Sequence, residues 1–234
     1  MTRTWFGVVW LLVSLSACGA TTSSRNIRTP GIVALIDVSS NVEGQSTVKT
    51  DLVVGGANSN TSVVLEGGDR LSAAAGGQTQ DMNAVGKGEY EARFPTSGGE
   101  YTVSLARDVD APAPNNKGTM PPPFEITSQF GDQPLSRKND DVTLTWTPAG
   151  SGADVTIGLT GDCILDADFN VGGDPGTFTI PRQKIEAWKM QEKENCNVVA
   201  VITRSVNGTT DPALGSDSHF RLRQIRQVRF VSGP

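Results

Sequence analysis

Apolar and polar residues alternate with a period of two along most of the chain, which is the pattern of β-strands with one buried face. The clearest alternating runs cover residues 89–94, 101–105, 142–147, 155–160 and 177–180. The first two runs flank a glycine-containing loop, so the sequence predicts that they form a β-hairpin. Residues 32–36 and 198–202 are apolar at successive positions, which predicts central strands covered on both faces.

One segment has helical rather than alternating periodicity. Pro181 precedes residues 182–192, in which Ile185 and Trp188 are three positions apart, and this spacing predicts a short connecting helix. Three successive prolines at 121–123 are incompatible with a helix or a central strand, so they predict a domain boundary.

The expected fold class is therefore all-β, with two β-sandwich domains in series and the short helix in the second. The first domain is expected at residues 31–120 and the second at residues 121–234. Close spacing of strands over about 100 residues is typical of immunoglobulin-like and fibronectin-III-like sandwiches. A single larger sandwich and an elongated barrel are the alternatives.

Residues 1–17 have the features of an export signal peptide. Arg3 precedes an apolar stretch, and small residues follow it. The apolar stretch is shorter than the roughly 20 residues that a membrane-spanning helix needs.

The sequence LSAC at residues 15–18 resembles the lipobox of bacterial lipoproteins. That resemblance implies cleavage before Cys18 and attachment of lipid to the Cys18 thiol. Residues 18–30 would then be the lipidated cysteine and a flexible tether, since they are rich in serine and threonine. Gly19 stands where an aspartate would favour the inner membrane, so the expected location is the outer membrane, at either its periplasmic or its surface face.

Charge and composition exclude several classes of function. The chain has 234 residues, a formal net charge of −5 and one histidine. An acidic chain is not expected to bind nucleic acid, which requires a basic surface. The single histidine, His219, excludes multi-histidine metal sites, and the sequence contains no G-x-S-x-G, P-loop, G-x-G-x-x-G or H-E-x-x-H motif. We therefore expect no catalytic residue and no enzymatic activity.

Four short motifs resemble a family of uncharacterised lipoproteins of Gram-negative bacteria with immunoglobulin-like or fibronectin-III-like domains. They are GGEYTVSL at 98–105, LTWTPAG at 144–150, GDC at 161–163 and GTFTIP at 176–181. The resemblance implies an envelope location and a β-sandwich fold. It implies no activity and no site residues.

Cys163 and Cys196 are the two cysteines outside the lipobox. A pair of cysteines in an exported protein is most simply a disulfide, so we predict that these two are bonded. A reactive thiol and a metal-binding pair are the alternatives, although the sequence contains no C-x-x-C motif.

Asp166, Asp168 and Asn170 match the first three ligand positions of an EF-hand calcium loop. The match then fails, because Val171 occupies the position that needs glycine and Thr177 the position that needs glutamate. A solvated acidic turn is the interpretation we prefer, and a structural calcium site is the alternative. No other cofactor is expected.

The C-terminal segment contains a basic strip in an otherwise acidic chain, formed by Arg221, Arg223, Arg226 and Arg229. Such a strip can contact lipid headgroups, an anionic glycan or an acidic protein. The alternative is the wet face of an edge strand, where charge prevents aggregation. The apolar positions between these arginines change parity, which suggests a β-bulge.

These observations favour a non-enzymatic lipoprotein of the cell envelope that contacts a protein or glycan at the membrane surface. Its expected partners are the membrane, through the lipid, and an envelope protein or glycan. The alternatives are a ligand- or calcium-binding β-sandwich module and an accessory domain of an envelope hydrolase.

Overall fold

The structure is a computed structural model that describes residues 20–234, and β-strands dominate it. Its strands are β1 Ala20–Ser23, β2 Ile32–Val42, β3 Gln45–Val54, β4 Thr61–Val64, β5 Arg70–Ala75, β6 Gln78–Asp81, β7 Asn83–Gly86, β8 Glu89–Phe94, β9 Glu100–Ala106, β10 Ala113–Thr119, β11 Glu125–Ile126, β12 Leu135–Ser136, β13 Val142–Thr147, β14 Asp154–Gly161, β15 Ala167–Asn170, β16 Thr177–Ile180, β17 Cys196–Asn207 and β18 His219–Gly233. Two short 3₁₀ turns lie at Ser24–Asn26 and Thr29–Gly31.

The all-β class is confirmed. None of the described helices is long and apolar enough to span a membrane.

One large sheet extends along the whole described structure. It has 11 strands, and its main path is β1-β4-β3-β2-β18-β17-β14-β15. The antiparallel strands β17 and β18 are its longest members, and their pairing is unbroken from Cys196 opposite Ser232 to Asn207 opposite Arg221. The remaining described strands form a 4-stranded sheet, β10-β9-β5-β6, and a 3-stranded sheet, β11-β13-β16.

Each smaller sheet encloses its own hydrophobic core against the large sheet. Core residues up to Met120 belong to the first core and those from Phe124 to Ile202 belong to the second, so the change falls at the three prolines. The division is not purely sequential, because β18 contributes Phe220 and Leu222 to the first core and Phe230 to the second. The long antiparallel pair β17–β18 therefore contributes side chains to both cores and connects them.

The hairpin predicted from residues 89–94 and 101–105 is wrong. Strand β8 pairs with β3 and β7 in the large sheet, whereas β9 pairs with β5 and β10 in the 4-stranded sheet. The chain crosses between the sheets, and the inward faces of both strands meet in the first core. The rings of Phe94 and Tyr101 accordingly pack edge to face, with centroids 6.4 Å apart.

The predicted helix at residues 182–192 is not found, and this segment consists of turns. Its backbone is used in contacts with distant residues rather than in helical hydrogen bonds. The amides of Leu165 and Trp188 donate to the carbonyls of Glu186 and Cys163, respectively. Arg137 also donates to the Glu192 and Glu194 carbonyls. Tertiary contacts thus outweigh the weak helical pattern.

Residues 20–30, for which the sequence predicts a flexible tether, are folded onto the first core. Strand β1 pairs in parallel with β4, and the side chains of Ser24 and Thr29 are fully buried. Arg107 donates to the carbonyls of Ser24 and Ile27, and the Thr29 amide donates to Asp110. These partners satisfy backbone groups that a flexible tether would leave to water. The predicted signal peptide and the predicted lipidation site at Cys18 lie outside the described residues.

Trp146 is part of the second core, as its strand pattern predicts, with 3% of its surface exposed. We expect Trp146→Ala to lower the free energy of unfolding by about 3–5 kcal/mol, because it leaves a large cavity. Urea denaturation measures this loss. Trp188→Ala is the matched control, since Trp188 is 52% exposed. A loss below about 1 kcal/mol for Trp146→Ala would contradict its role in the core.

Candidate contact face

The arginines predicted as one basic strip lie on two faces of β18. Arg221, Arg223 and Arg229 occupy odd positions, whose side chains point to the outer face of the large sheet, while the even positions face the cores. Arg226 is on the inner side, where its Nη1 donates to the Ser40 carbonyl at 3.1 Å and its guanidinium lies over the Phe124 ring. The prediction of one strip is therefore wrong, and three of the four arginines share a face.

Strand β18 is an interior strand over one half of its length and an edge strand over the other. Residues 219–224 pair with both β17 and β2, whereas over residues 225–231 the only described strand paired with β18 is β17. The predicted bulge is absent from the β17–β18 pairing. The apparent change of parity arises because the inward positions at the junction of the two cores are the polar residues Gln224 and Arg226.

An ion-pair cluster lies on the outer face where β18 meets β2. Arg223 Nη2 is 2.9 Å from Asp37 Oδ1, and His219 Nε2 is 3.7 Å from Asp37 Oδ2. Nearby on β3, burial raises the pKa of the Asp51 carboxyl, and the negative charges of Glu89 and Asp37 raise it further. The cluster is half-exposed, so its charges are available to a binding partner.

Two neighbouring valines on the outer face of β17, Val199 and Val201, form what we call the valine column. Val199 and Val201 are half-buried and belong to neither hydrophobic core, and the same is true of Ile225 on β18. The sequence predicts that residues 198–202 are covered on both faces, but in the described structure the cores cover only the inner face. Val199, Val201 and Ile225 therefore form a small apolar patch on the outer face that is partly exposed to solvent.

Charges of opposite sign flank the valine column. The pairing places Asp154, Ser205 and Arg223 in one row across β14, β17 and β18. A second row contains Thr160, Val199 and Arg229. The side toward β14 and β15 also carries aspartates, at positions 162, 166 and 168. The outer face thus has an acidic side, an apolar centre and a basic side, and we call it the contact face.

A shallow hollow of about 540 Å³ lies at one end of the contact face. Its lining brings together two residues that the sequence proposed for different roles, Asp166 and Arg229. Asp162 and Val199 also line it. The hollow is therefore part of the contact face and combines carboxylates, a guanidinium and an apolar floor.

The calcium alternative finds no support in the geometry of Asp166, Asp168 and Asn170. All three are exposed and alternate along the extended chain at β15. Successive same-face positions on a strand are about 6–7 Å apart, so the first and third of these residues are about twice that distance apart. Ca²⁺ needs each oxygen ligand within about 2.6 Å of the ion, and three side chains spread along a strand do not converge in this way. Among residues 20–234 no group of three or more histidine, cysteine, aspartate or glutamate side chains is arranged to hold a metal ion.

The predicted cysteine pair is seen at bonding distance, with 2.10 Å between the sulfurs of Cys163 and Cys196. Cys163 is buried, and Arg137 Nη1 lies 3.4 Å from its sulfur. Because the two sulfurs are bonded to each other, neither acts as a reactive thiol or a metal ligand. The disulfide fixes the start of β17, which forms the centre of the contact face.

Sequence reasoning missed two buried ion pairs. Arg204 Nη2 lies 2.9 Å from Asp174 Oδ2, and Arg107 Nε lies 2.8 Å from Asp69 Oδ2. A signal for the first pair was present, since Arg204 occupies an inward position in the alternation of β17. The sequence gives no comparable signal for Asp174, because its partner Arg204 lies on a strand that is distant along the chain.

The chain matches no known protein family and no curated protein. The resemblance to bacterial lipoproteins therefore remains a proposal.

Proposed function

We propose that this protein is a non-enzymatic lipoprotein of the outer membrane that contacts a protein or glycan through the contact face. A lipid on Cys18 would hold it at the membrane, and the two cores would correspond to two immunoglobulin-like or fibronectin-III-like sandwiches. The observation that carries the proposal is the valine column with its charged flanks. An apolar centre with a polar rim is the usual anatomy of a protein interface.

The N-terminal segment supports a membrane-proximal position. Strand β1 begins at Ala20, two residues after Cys18, and its pairing with β4 places it at the His219 end of β18. A lipid on Cys18 would therefore hold this end of the fold close to the membrane. Strand β18 has 15 residues, which at about 3.3 Å per residue corresponds to roughly 50 Å. The contact face covers residues 223–229 of this strand and residues 199–205 of β17, beyond the anchored end.

The contact face favours binding over chemistry. Its polar groups are carboxylates and guanidinium groups on rigid strands, and their charges are complementary across the face. Such groups give orientation and specificity to an interface. The hollow at Asp166 and Arg229 is the part that suits a glycan, because sugar hydroxyls both donate to carboxylates and accept from guanidinium groups.

Cys18→Ala is expected to release the protein from the membrane fraction and to abolish incorporation of a labelled fatty acid. The reason is that the Cys18 thiol is the proposed attachment point of the lipid. The control is the double variant Cys163→Ser, Cys196→Ser, which should still incorporate the label. Unchanged membrane retention and labelling of Cys18→Ala would contradict the anchor.

The contact role is tested in cells that produce the protein with a photo-crosslinking amino acid at position 201. We expect an adduct of higher mass, because Val201 lies at the centre of the contact face. A probe at position 85 is the control, since Val85 is exposed on β7, away from β17. Absence of any adduct from position 201 would contradict the contact role.

A further inference from the structure

We propose that the partner bound by the contact face is a second copy of this chain. The proposal rests on the proposed contact role of this face and names its occupant. The two copies would pack face to face as an isologous dimer, with the two-fold axis running along β17 in the plane between the sheets.

The first support is the apolar pattern of β17. A strand with apolar side chains on both faces is typical of a sheet that is covered on both sides. The described chain covers the inner side with the second core and leaves Val199 and Val201 on the outer side partly exposed. A second sheet packed about 10 Å away would bury both valines against their own equivalents.

The second support is the distribution of charge, which is complementary to itself. Rotation about an axis along β17 places the β18 side of one copy over the β14 side of the other. Arg223 then faces Asp154 of the second copy, because both residues lie in the row of Ser205. Arg229 faces Thr160 of the second copy and the aspartates beside it, because both lie in the row of Val199.

The third support is the shape of the face. The pairing of β17 with β18 has no bulge, so the outward side chains form regular rows suited to sheet-on-sheet packing. In the row of Val201, Gly158 lies on β14 and Gln227 on β18. Gly158 has no side chain, but the Asp168 carboxylate lies over it, 3.2 Å from the position of a Cβ. Gln227 of the second copy would therefore meet that carboxylate and donate to it.

The test begins with residues 19–234, a chain that contains both cores and lacks the lipid. We expect sedimentation equilibrium at micromolar concentration to give twice the chain mass. Val201→Glu places a charge at the apolar centre, so it should raise the dimer dissociation constant by at least about tenfold. Val85→Glu is the matched control and should leave the dissociation constant unchanged, since Val85 is an exposed valine on another strand.

The orientation of the two copies is tested by exchanging charges. Arg223→Asp and Asp154→Arg each place like charges opposite one another, so each variant alone should be monomeric. In an equimolar mixture the mixed dimer has one contact of reversed sign, between the introduced charges, and one unchanged Arg223–Asp154 contact, so the two variants should form a heterodimer. A structural effect of either substitution would not produce this rescue.

Three results would overturn the proposal. These are a monomeric wild-type chain, a dimer that Val201→Glu leaves intact, and an equimolar mixture that stays monomeric. The photo-crosslink at position 201 distinguishes failure of the dimer proposal from failure of the proposed contact role. An adduct of position 201 with another molecule, together with a monomeric purified chain, would refute the dimer and keep the contact role.

Discussion

Arg204→Met is expected to lower the free energy of unfolding by about 3–5 kcal/mol, because it removes one member of a buried ion pair. The side chains of Arg204 and Asp174 are 0% and 1% exposed. Arg204 also donates to the carbonyls of Pro122 and Pro148, and its guanidinium lies 4.6 Å from the centre of the Phe124 ring. The substitution therefore removes hydrogen bonds and a cation–π contact in addition to the charge pair.

Urea denaturation of the purified chain measures the effect of Arg204→Met. Arg93→Met is the matched control, since the Arg93 side chain is 79% exposed, and it should change stability by no more than about 0.5 kcal/mol. The double variant Arg204→Met, Asp174→Asn should be more stable than the sum of its single changes predicts, because no unpaired charge remains buried. A loss below about 1 kcal/mol for Arg204→Met would show that the pair does not stabilise the fold.

The same ion pair predicts sensitivity to acid. Burial alone would raise the pKa of the Asp174 carboxyl, but hydrogen bonds from Ser151 and Trp146 and the charge of Arg204 outweigh it and hold the pKa below its ordinary value. A carboxyl whose pKa is lowered in the folded state stabilises the fold above its unfolded pKa, and this contribution is lost as the pH falls through the folded pKa. Stability of the wild type should therefore fall below about pH 4, and it should fall less in Asp174→Asn.

Local pattern was sufficient to predict the all-β class and the inward orientation of Trp146. Alternation reports which face of a strand is buried, and that depends on residues close in sequence. The cysteine pair was equally accessible, because only two cysteines remain outside the lipobox. Both features could be predicted without knowing how the strands are arranged.

Pairing between distant strands could not be predicted in this way. The runs containing Tyr90 and Tyr101 look like a hairpin, but their buried faces meet from opposite sheets. Alternation is identical in the two arrangements, so only the full set of strand pairings distinguishes them. The division of the four arginines follows from the odd and even positions of β18, and it was hidden because the polar inward residues Gln224 and Arg226 look like a change of parity.

The contact face shows what sequence pattern can still contribute. The run at 198–202 has apolar side chains on both faces of β17, although the prediction that both faces are covered is not confirmed in the described structure. The sequence did not reveal that the chain covers only one of them, since that depends on which elements pack against the large sheet. Val199 and Val201 are apolar, yet the described chain does not cover them, and this observation suggests a binding partner.

Arg107→Met is expected to release the N-terminal segment from the first core, because Arg107 is its main polar attachment. The guanidinium donates to the carbonyls of Ser24 and Ile27, and its ion pair with Asp69 is fully buried. Removal of the arginine leaves a buried carboxylate without its partner, which typically costs about 3–5 kcal/mol. Trypsin should then cut after Arg25 or Arg28, sites that the folded segment protects in the wild type.

Release of the N-terminal segment can also be measured on membranes. If Cys18 carries the proposed lipid, trypsin treatment of membranes that contain the protein should free the folded body of Arg107→Met, since the cut falls between Cys18 and the first core. The wild type and the control Arg93→Met should stay attached under the same treatment. Equal release of Arg107→Met and the wild type would show that residues 20–30 do not hold the body at its anchor. Release of Arg107→Met alone would mean that Arg107 controls how closely the protein is held to the membrane.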